Sequence, residues 1–371
     1  MKKILHIANW YPNKWDNIQS KFIKEQYKVF TEVTDTKLIN VQVRDGKKWI
    51  TYEYIKYSEH EEGYYLLTKI KVNKIIELLT TLLLLWVLIK SKYKRYDMLH
   101  FHIAYPLLIH YYIWKFFIRI PIIISEHWSA YHFNFNLPKN TKKLSTVRKI
   151  FKQNIPVITV SKALGEDIKT FANVSDFPLC IIPNIIDTKI FYLKNIPQNK
   201  IPTFFIVNYW RDIKNPFPML KGFSKLKIQY RLKIGGYGDL YQDIKTFVRK
   251  YKMEDKVVFL EKMTAEEISN TFNHSDIYLY TSLYETFSVI CAEAISCGIP
   301  LMGPKIDAIL EYTDENNAIY IEKNDDDFWF NALNSYITNH NGFNRLNISN
   351  EAKKVFSHEK IKKNYLKFIN R

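Results

Sequence analysis

The chain has 371 residues, which suits two domains at about 100–200 residues each. Hydrophobic residues make up 47% and charged residues 25%, a balance that excludes a disordered chain. Lysine and arginine number 54 against 37 acidic residues, a net charge of +17; unless a lysine-rich compositional bias explains it, such a surface draws nucleic acid, anionic lipid headgroups or phosphorylated small molecules.

The N-terminus runs directly into a strand at 3–7 with no long apolar segment or small-residue cleavage site before it, so the expectation is a cytoplasmic protein. In chain order the first half then reads helix 20–31, strand 37–43, helix 71–90, strand 97–102, helix 106–117, strand 121–125, helix 144–153, strand 157–160, helix 162–171 and strand 179–182. A polar stretch at 192–200, containing Pro197, reads as a linker. The second half repeats the rhythm, with strands at 203–208, 230–234, 257–260, 277–280, 299–302 and 318–321. Helices at 216–227, 239–251, 265–272, 287–297 and 325–336 separate them, and a basic helical tail runs from about 342 to Arg371.

Strands alternating with helices imply parallel sheets covered on both faces. The expected fold class is therefore α/β, with two doubly wound Rossmann-like domains facing a cleft and ligands bound beyond the carboxyl ends of the strands. The expected division is 1–190 and 191–354, with a helix at about 355–371 packing back on the first domain.

Residues 78–89 (LLTTLLLLWVLI) carry no charge, but a membrane-spanning helix needs about 20 such residues. Lys69, Lys71 and Lys74 precede the run, and Lys90, Lys92, Lys94 and Arg95 follow it. The pattern fits either a core helix with solvated ends or a helix lying at an anionic membrane surface. The three cysteines, Cys180, Cys291 and Cys297, have no CxxC spacing, so disulfides and a zinc knuckle are not expected. His100 and His102 share one face of a strand, but further ligands for a metal are not evident, and no metal is expected. No zinc-finger, RNP or KH signature is present, so nucleic acid is not the expected partner.

The strongest constellation follows the strand at 277–280. It runs Tyr280-Thr-Ser-Leu-Tyr-Glu285-Thr286-Phe287-Ser288-Val-Ile-Cys-Ala-Glu293, and the helix is closed by Gly298 and Pro300. A helix N-terminus near Thr286–Ser288 presents unpaired N–H groups and a positive dipole end, which suits a pyrophosphate. Glu285 accepts from sugar hydroxyls just before the first turn. Glu293, about 10–12 Å further along by helical rise, grips a ribose diol. That spacing exceeds the roughly 5–9.5 Å between the paired carboxylates of glycosidases.

At these residues the chain resembles the retaining GT-B glycosyltransferases of family 4, whose hallmark is Glu-x7-Glu followed by a small-residue helix and Gly-x-Pro. Similar to that family's motifs are Ile182-Pro183-Asn184-Ile185-Ile186-Asp187, Val160-Ser161-Lys162, Gly235-Gly236-Tyr237-Gly238 and the His-bearing loop Ser125-Glu126-His127-Trp128-Ser129-Ala130-Tyr131. The matches run from about residue 4 to residue 322. The resemblance implies transfer of a sugar, with retention and without a metal, from a UDP- or GDP-linked donor to a saccharide acceptor. The nucleotide-sugar is a co-substrate and no cofactor is implied. Family relatives commonly build bacterial surface polysaccharides. Together with the basic first half, this leads us to expect a lipid-linked acceptor and peripheral attachment to the inner face of the membrane.

By the same resemblance His127, Lys214 and Glu285 are the catalytic candidates, and Arg211, Gly236, Thr286, Phe287, Ser288 and Glu293 the donor-binding ones. Tyr209 stands where the family has an arginine, and Arg211 is the nearest substitute. The loop after Met302, Gly303-Pro304-Lys305-Ile306-Asp307-Ala308, departs from the family's Gly-Gly near a glutamate. The first-strand loop carries Trp10, Tyr11 and Trp15, which either stack on acceptor sugars or pack. Two other readings stay open: a sugar-phosphate enzyme of the same build, such as a phosphorylase or nonhydrolysing epimerase, and a non-catalytic polyanion binder. The Glu-x7-Glu block favours transfer.

Overall fold

The computed structural model describes residues 1–16, 20–132, 142–197, 199–339 and 342–370. Residues 17–19 of the aromatic loop, Gln198 of the linker and Arg371 of the tail lie outside the described residues. The chain divides into two compact units, Met1–Ile185 with His358–Arg371, and Ile186–Ser357.

The first unit comprises β1 (Lys3–Ala8), α1 (Lys21–Thr31), β2 (Asp35–Asp45), β3 (Thr51–Lys56), β4 (Glu61–Thr68), α2 (Asn73–Lys90), β5 (Met98–His102), α3 (Tyr111–Trp114), β6 (Ile122–Glu126), α4 (Lys142–Phe151), β7 (Val157–Thr159), α5 (Lys162–Ala172) and β8 (Leu179–Ile181). Its sheet runs in the order β3-β4-β2-β1-β5-β6-β7-β8. Every neighbouring pair is parallel except the β3–β4 hairpin. Near-continuous apolar runs such as Ile4-Leu5 and Ile122-Ile123-Ile124 are buried because helices cover both faces.

The second unit comprises β9 (Thr203–Tyr209), α6 (Phe217–Ser224), β10 (Arg231–Tyr237), α7 (Tyr241–Lys250), β11 (Val257–Glu261), α8 (Ala265–Asn273), β12 (Ile277–Leu279), α9 (Val289–Ser296), β13 (Leu301–Pro304), α10 (Asp307–Leu310), β14 (Ala318–Ile321), α11 (Asp326–Asn339) and α12 (Arg345–Phe356). Its sheet order β11-β10-β9-β12-β13-β14 is parallel throughout. Trp210 and Trp329 are fully buried in its core. Both indole N–H groups are satisfied, Trp210 donating to Gly235 O at 2.8 Å and Trp329 to Asn324 Oδ1 at 2.7 Å. A last helix, α13 (His358–Ile369), belongs to the first unit, where the Tyr365 ring stacks on Phe30 at 3.8 Å between centroids.

In the first unit the fold departs from the sequence reading at a hairpin and at a helix. The charged stretch before α2 folds as the β3–β4 hairpin, which the sequence reading omitted. In β3 residues alternate between half-buried and exposed, as on an edge strand, so its apolar content is masked by lysines and glutamates. The expected helix 106–117 is reduced to the single turn of α3. Leu107, Leu108 and Ile109 are consecutive and all buried, so this segment turns through the core instead of presenting one apolar stripe.

Candidate active site

In the second unit the loop 280–288 leads from β12 to α9, and a 3-10 turn, Asp212–Lys214, follows β9. The Leu283 N–H donates to Ile213 O at 2.9 Å, and the Thr281 hydroxyl donates to the Lys214 carbonyl, so the two segments are stitched together. Lys214 Nζ lies 2.5 Å from Glu285 Oε1, and the Ser282 hydroxyl donates to the same oxygen at 2.7 Å. The Lys214 and Glu285 side chains are 15% and 18% exposed, open to a ligand yet screened less than a surface pair.

Helix α9 opens at Val289, two residues later than the sequence placed it, so Thr286, Phe287 and Ser288 form the approach to the helix and not its first turn. Ser288 occupies the N-cap with φ 62°, the left-handed region, and its side chain caps no amide. The Tyr312 hydroxyl fixes this approach by donating to Phe287 O at 2.7 Å and to Ser288 O at 3.2 Å. Phe287 is 3% exposed and packs on Tyr312 and Phe356, so its ring is a wall of the loop and only its backbone remains for a ligand. Glu293 sits half-buried one turn into α9. Burial pushes the Cys291 thiol up, and the charges of Glu285, Lys214 and Glu293 also act on it.

Tyr209 and Tyr237 are register partners at the ends of β9 and β10, with ring centroids 5.1 Å apart. The Arg211 guanidinium lies 5.7 Å from the Tyr209 ring. A cation thus stands beside the position where the resemblance lacks its arginine. Gly235, Gly236 and Tyr237 end β10, and α7 starts at Tyr241. Gly236 has φ 106°, and a Cβ there would lie 1.9 Å from the Asn208 carbonyl oxygen; the crowding partner is the chain's own backbone. Gly298, with φ 73°, ends α9 by donating to Ile295 O at 2.9 Å.

The family model "Glycosyl transferases group 1" matches residues 191–355, and "Glycosyltransferase Family 4" matches residues 58–190. The chain belongs to the GT-B glycosyltransferases of family 4. Among relatives of this family 4 chain, N-acetyl-alpha-D-glucosaminyl L-malate synthase of Bacillus anthracis is 24% identical over 237 residues, 61% of each chain. A phosphatidylinositol N-acetylglucosaminyltransferase subunit of Arabidopsis thaliana is 22% identical over 210 residues, 56% of this chain and 47% of that one. This chain therefore spans about half to three-fifths of the curated relatives it matches. The solved structure of Anabaena HepE in complex with UDP superposes with a TM-score of 0.75 at 14% identity, covering 100% of both chains.

The first unit of this family 4 chain holds the remaining candidates. Tyr11 is 1% exposed and its hydroxyl donates to Glu61 Oε2 at 2.8 Å, so the packing alternative holds for it and it offers no face to a sugar. Trp15 is 40% exposed, with Lys14 and Arg44 over its ring at 4.6 and 5.1 Å. Trp10 is half-buried, edge-on to Trp128 at 5.6 Å. Ser20, just before α1, has φ 48°, a conformation that favours glycine. His127 follows β6, 8% exposed, tilted against Phe22 at 4.4 Å and beside the Asn184 side chain.

Sequence reasoning missed two groups here. His6 on β1 joins His100 and His102, with one nitrogen from each within 4.8 Å of the others. His6 Nδ1 and His102 Nε2 are 3.0 Å apart, while His100 meets Tyr365 Oη at 3.0 Å and Ser125 Oγ at 2.7 Å. Each ring is thus held by a hydrogen bond to a neighbour, while His6 Nε2 and His102 Nδ1 have no hydrogen-bond partner among the described residues. The second group is Glu126, fully buried, accepting from Ala104 N–H at 2.7 Å and Tyr131 Oη–H at 2.9 Å. Its signals were a lone acid ending an apolar strand and its place in the family-like loop before His127.

These groups set a pH dependence. Burial depresses His102 and His127 from 6.5 to about 3, and lowers His6 and His100, which also feel His102. Their contribution to stability is present above 6.5 and is lost as the pH falls toward 3. Burial pushes Glu126 up from 4.5 to about 7, so it acts in the opposite sense, stabilising below 4.5 and losing that contribution as the pH rises through 7. With four histidines against one acid, the first unit is expected to lose stability as the pH falls from about 7 to 5. Thermal melts resolved by unit check this, and His102→Asn should flatten the first unit's slope.

Proposed function

We propose that this chain transfers a sugar from a UDP- or GDP-linked donor to a saccharide acceptor, with retention at the anomeric carbon and without a metal. The observation that carries the reading is the Lys214–Glu285–Ser282 cluster beside the uncapped start of α9, with Glu293 one turn along. In this reading the donor diphosphate meets the first amides of α9 and the Lys214 ammonium, which stabilise the charge that grows as the sugar departs. Arg211, beside Tyr209, adds a second cation, and the Gly236 backbone lines the approach. Glu285 accepts from hydroxyls of the transferred sugar, and Glu293 holds the ribose diol with two charge-assisted hydrogen bonds. An oxygen of the leaving diphosphate takes the acceptor's proton on the same face, so a protein base is not needed.

His127, kept neutral by burial, is the first unit's candidate contact to the sugar, and the rings of Trp10 and Trp15 are its candidate faces for the acceptor. The acceptor is lipid-linked, in surface polysaccharide synthesis at the inner face of the membrane. The basic flanks of α2 and the similarity to a transferase subunit named for phosphatidylinositol support this. Among the described residues no helix is long and apolar enough to cross a membrane.

Isothermal titration of UDP- and GDP-sugars tests the reading. Glu293→Ala should weaken donor binding about 10- to 100-fold, the effect of losing hydrogen bonds to a charged group. Unchanged affinity would remove Glu293 from the donor site. Release of a sugar phosphate from an oligosaccharide and free phosphate would instead favour a phosphorylase.

A further inference from the structure

Helix α2 is apolar on two faces. Leu83, Leu84, Val87 and Leu88 are buried in the first unit. On the other side Ile75, Leu78, Leu82, Trp86 and Ile89 recur at steps of three and four residues, which aligns them in one row. Their exposures are 41%, 51%, 53%, 46% and 68%. The row continues onto the β3 edge, where Tyr52 meets the Trp86 ring at 5.4 Å and is itself 44% exposed. Beyond it Trp49 and Ile50 are 69% and 54% exposed. An apolar face of this extent on a folded unit marks an interaction surface.

Cations border the row. Lys90 Nζ lies 4.9 Å from the Trp86 ring and 5.1 Å from the Tyr54 ring, and Lys69 Nζ lies 3.7 Å from the Trp49 ring. Lys74 at one end of α2 and Lys92, Lys94 and Arg95 beyond the other are exposed. The nearby acids are already engaged: Asp45 pairs with Lys71, Glu53 with Lys14, and Glu77 accepts from Tyr105.

We propose that this face docks on an anionic lipid bilayer. Helix α2 lies along the membrane plane, Leu82 and Trp86 enter the boundary between headgroups and acyl chains, and the lysines meet lipid phosphates. Two features favour a bilayer over a second copy of the chain. Pairing two such faces would set cations against cations with few free acids to answer them. The mixture of tryptophan, tyrosine and lysine around an aliphatic row also matches the layered polarity of a headgroup region. The proposal gives the lipid-linked acceptor reading its surface and rests on that reading for its functional sense. Docking is measured without donor or acceptor, so failure to dock and failure to transfer are separate results.

The test is co-flotation of the full chain with phosphatidylcholine vesicles, with and without phosphatidylglycerol, at physiological salt. Binding is expected to the phosphatidylglycerol vesicles and to weaken as salt rises. Leu82→Glu with Trp86→Glu should reduce partitioning at least about tenfold, since two large apolar side chains leave the interface. Both positions are exposed, and unchanged UDP-sugar titration confirms folding. Lys92→Gln with Lys94→Gln should reduce binding to the anionic vesicles while leaving the weak binding to neutral ones. A wild-type chain that ignores phosphatidylglycerol vesicles, or a double glutamate variant that binds like wild type, would overturn the proposal. So would a dimer seen in sedimentation velocity and abolished by the same glutamates, which would assign the face to a second copy.

Discussion

Lys214→Met is expected to lower kcat by about 10²- to 10³-fold, the range seen when one preorganised group facing developing charge is removed. The ammonium sits where its effect is concentrated, 2.5 Å from Glu285 Oε1 and with a side chain only 15% exposed. If it meets the diphosphate, its attraction grows as the sugar–oxygen bond breaks and charge collects on the leaving group. The loss then falls mainly on kcat, with a smaller change in KM. A second consequence separates this from simple misfolding. Methionine keeps much of the length and the apolar stem of lysine, and the Thr281 hydroxyl bonds the backbone carbonyl of residue 214, so the stitched loops should persist. Circular dichroism and melting temperature should therefore stay close to wild type. A kcat within a fewfold of wild type would remove Lys214 from the reaction.

Gly236→Ala is expected to cost the second unit about 3 kcal/mol or more, because two penalties combine. The residue has φ 106°, a conformation that side chains rarely adopt, and its added Cβ would fall 1.9 Å from the Asn208 carbonyl oxygen. Asn208 is the β9 register partner of Gly236, so relief requires two central strands to part. For a unit of this size the melting temperature should drop by about 6–12 °C. Gly342→Ala is the control, since a Cβ there meets nothing within 4 Å and the change should stay within about 0.5 kcal/mol. If Gly236→Ala melts like wild type but loses donor affinity, the glycine serves the ligand more than the sheet.

The alternation of apolar runs and amphipathic stretches was legible along the chain because a buried parallel strand and a helix covering it impose different apolar patterns. That alone indicated two parallel sheets in two successive sets. The Glu-x7-Glu block was legible for a related reason: a loop glutamate, a helix and a closing Gly-Ile-Pro are all local. The β3–β4 hairpin was not, because an edge strand with one solvated face carries lysines and glutamates that mimic a loop. The start of α9 was set two residues late by Ser288 in a left-handed conformation, held by the hydroxyl of Tyr312 from another element.

The sequence by itself determined the α/β class and the family, through periodicity and motifs read within a few turns of chain. It also determined which acids and which lysine are candidates. Only the tertiary structure decided their partners. Lys214 and Glu285 are 71 residues apart, and nothing local states that they share one corner with Ser282. The same holds for Tyr11, which reads as a sugar-stacking aromatic but lies in the core, and for His6, which joins His100 and His102 across neighbouring strands. Burial and long-range pairing depend on which strands become neighbours. That is fixed by the packing of whole elements and not by the residues beside each side chain in sequence.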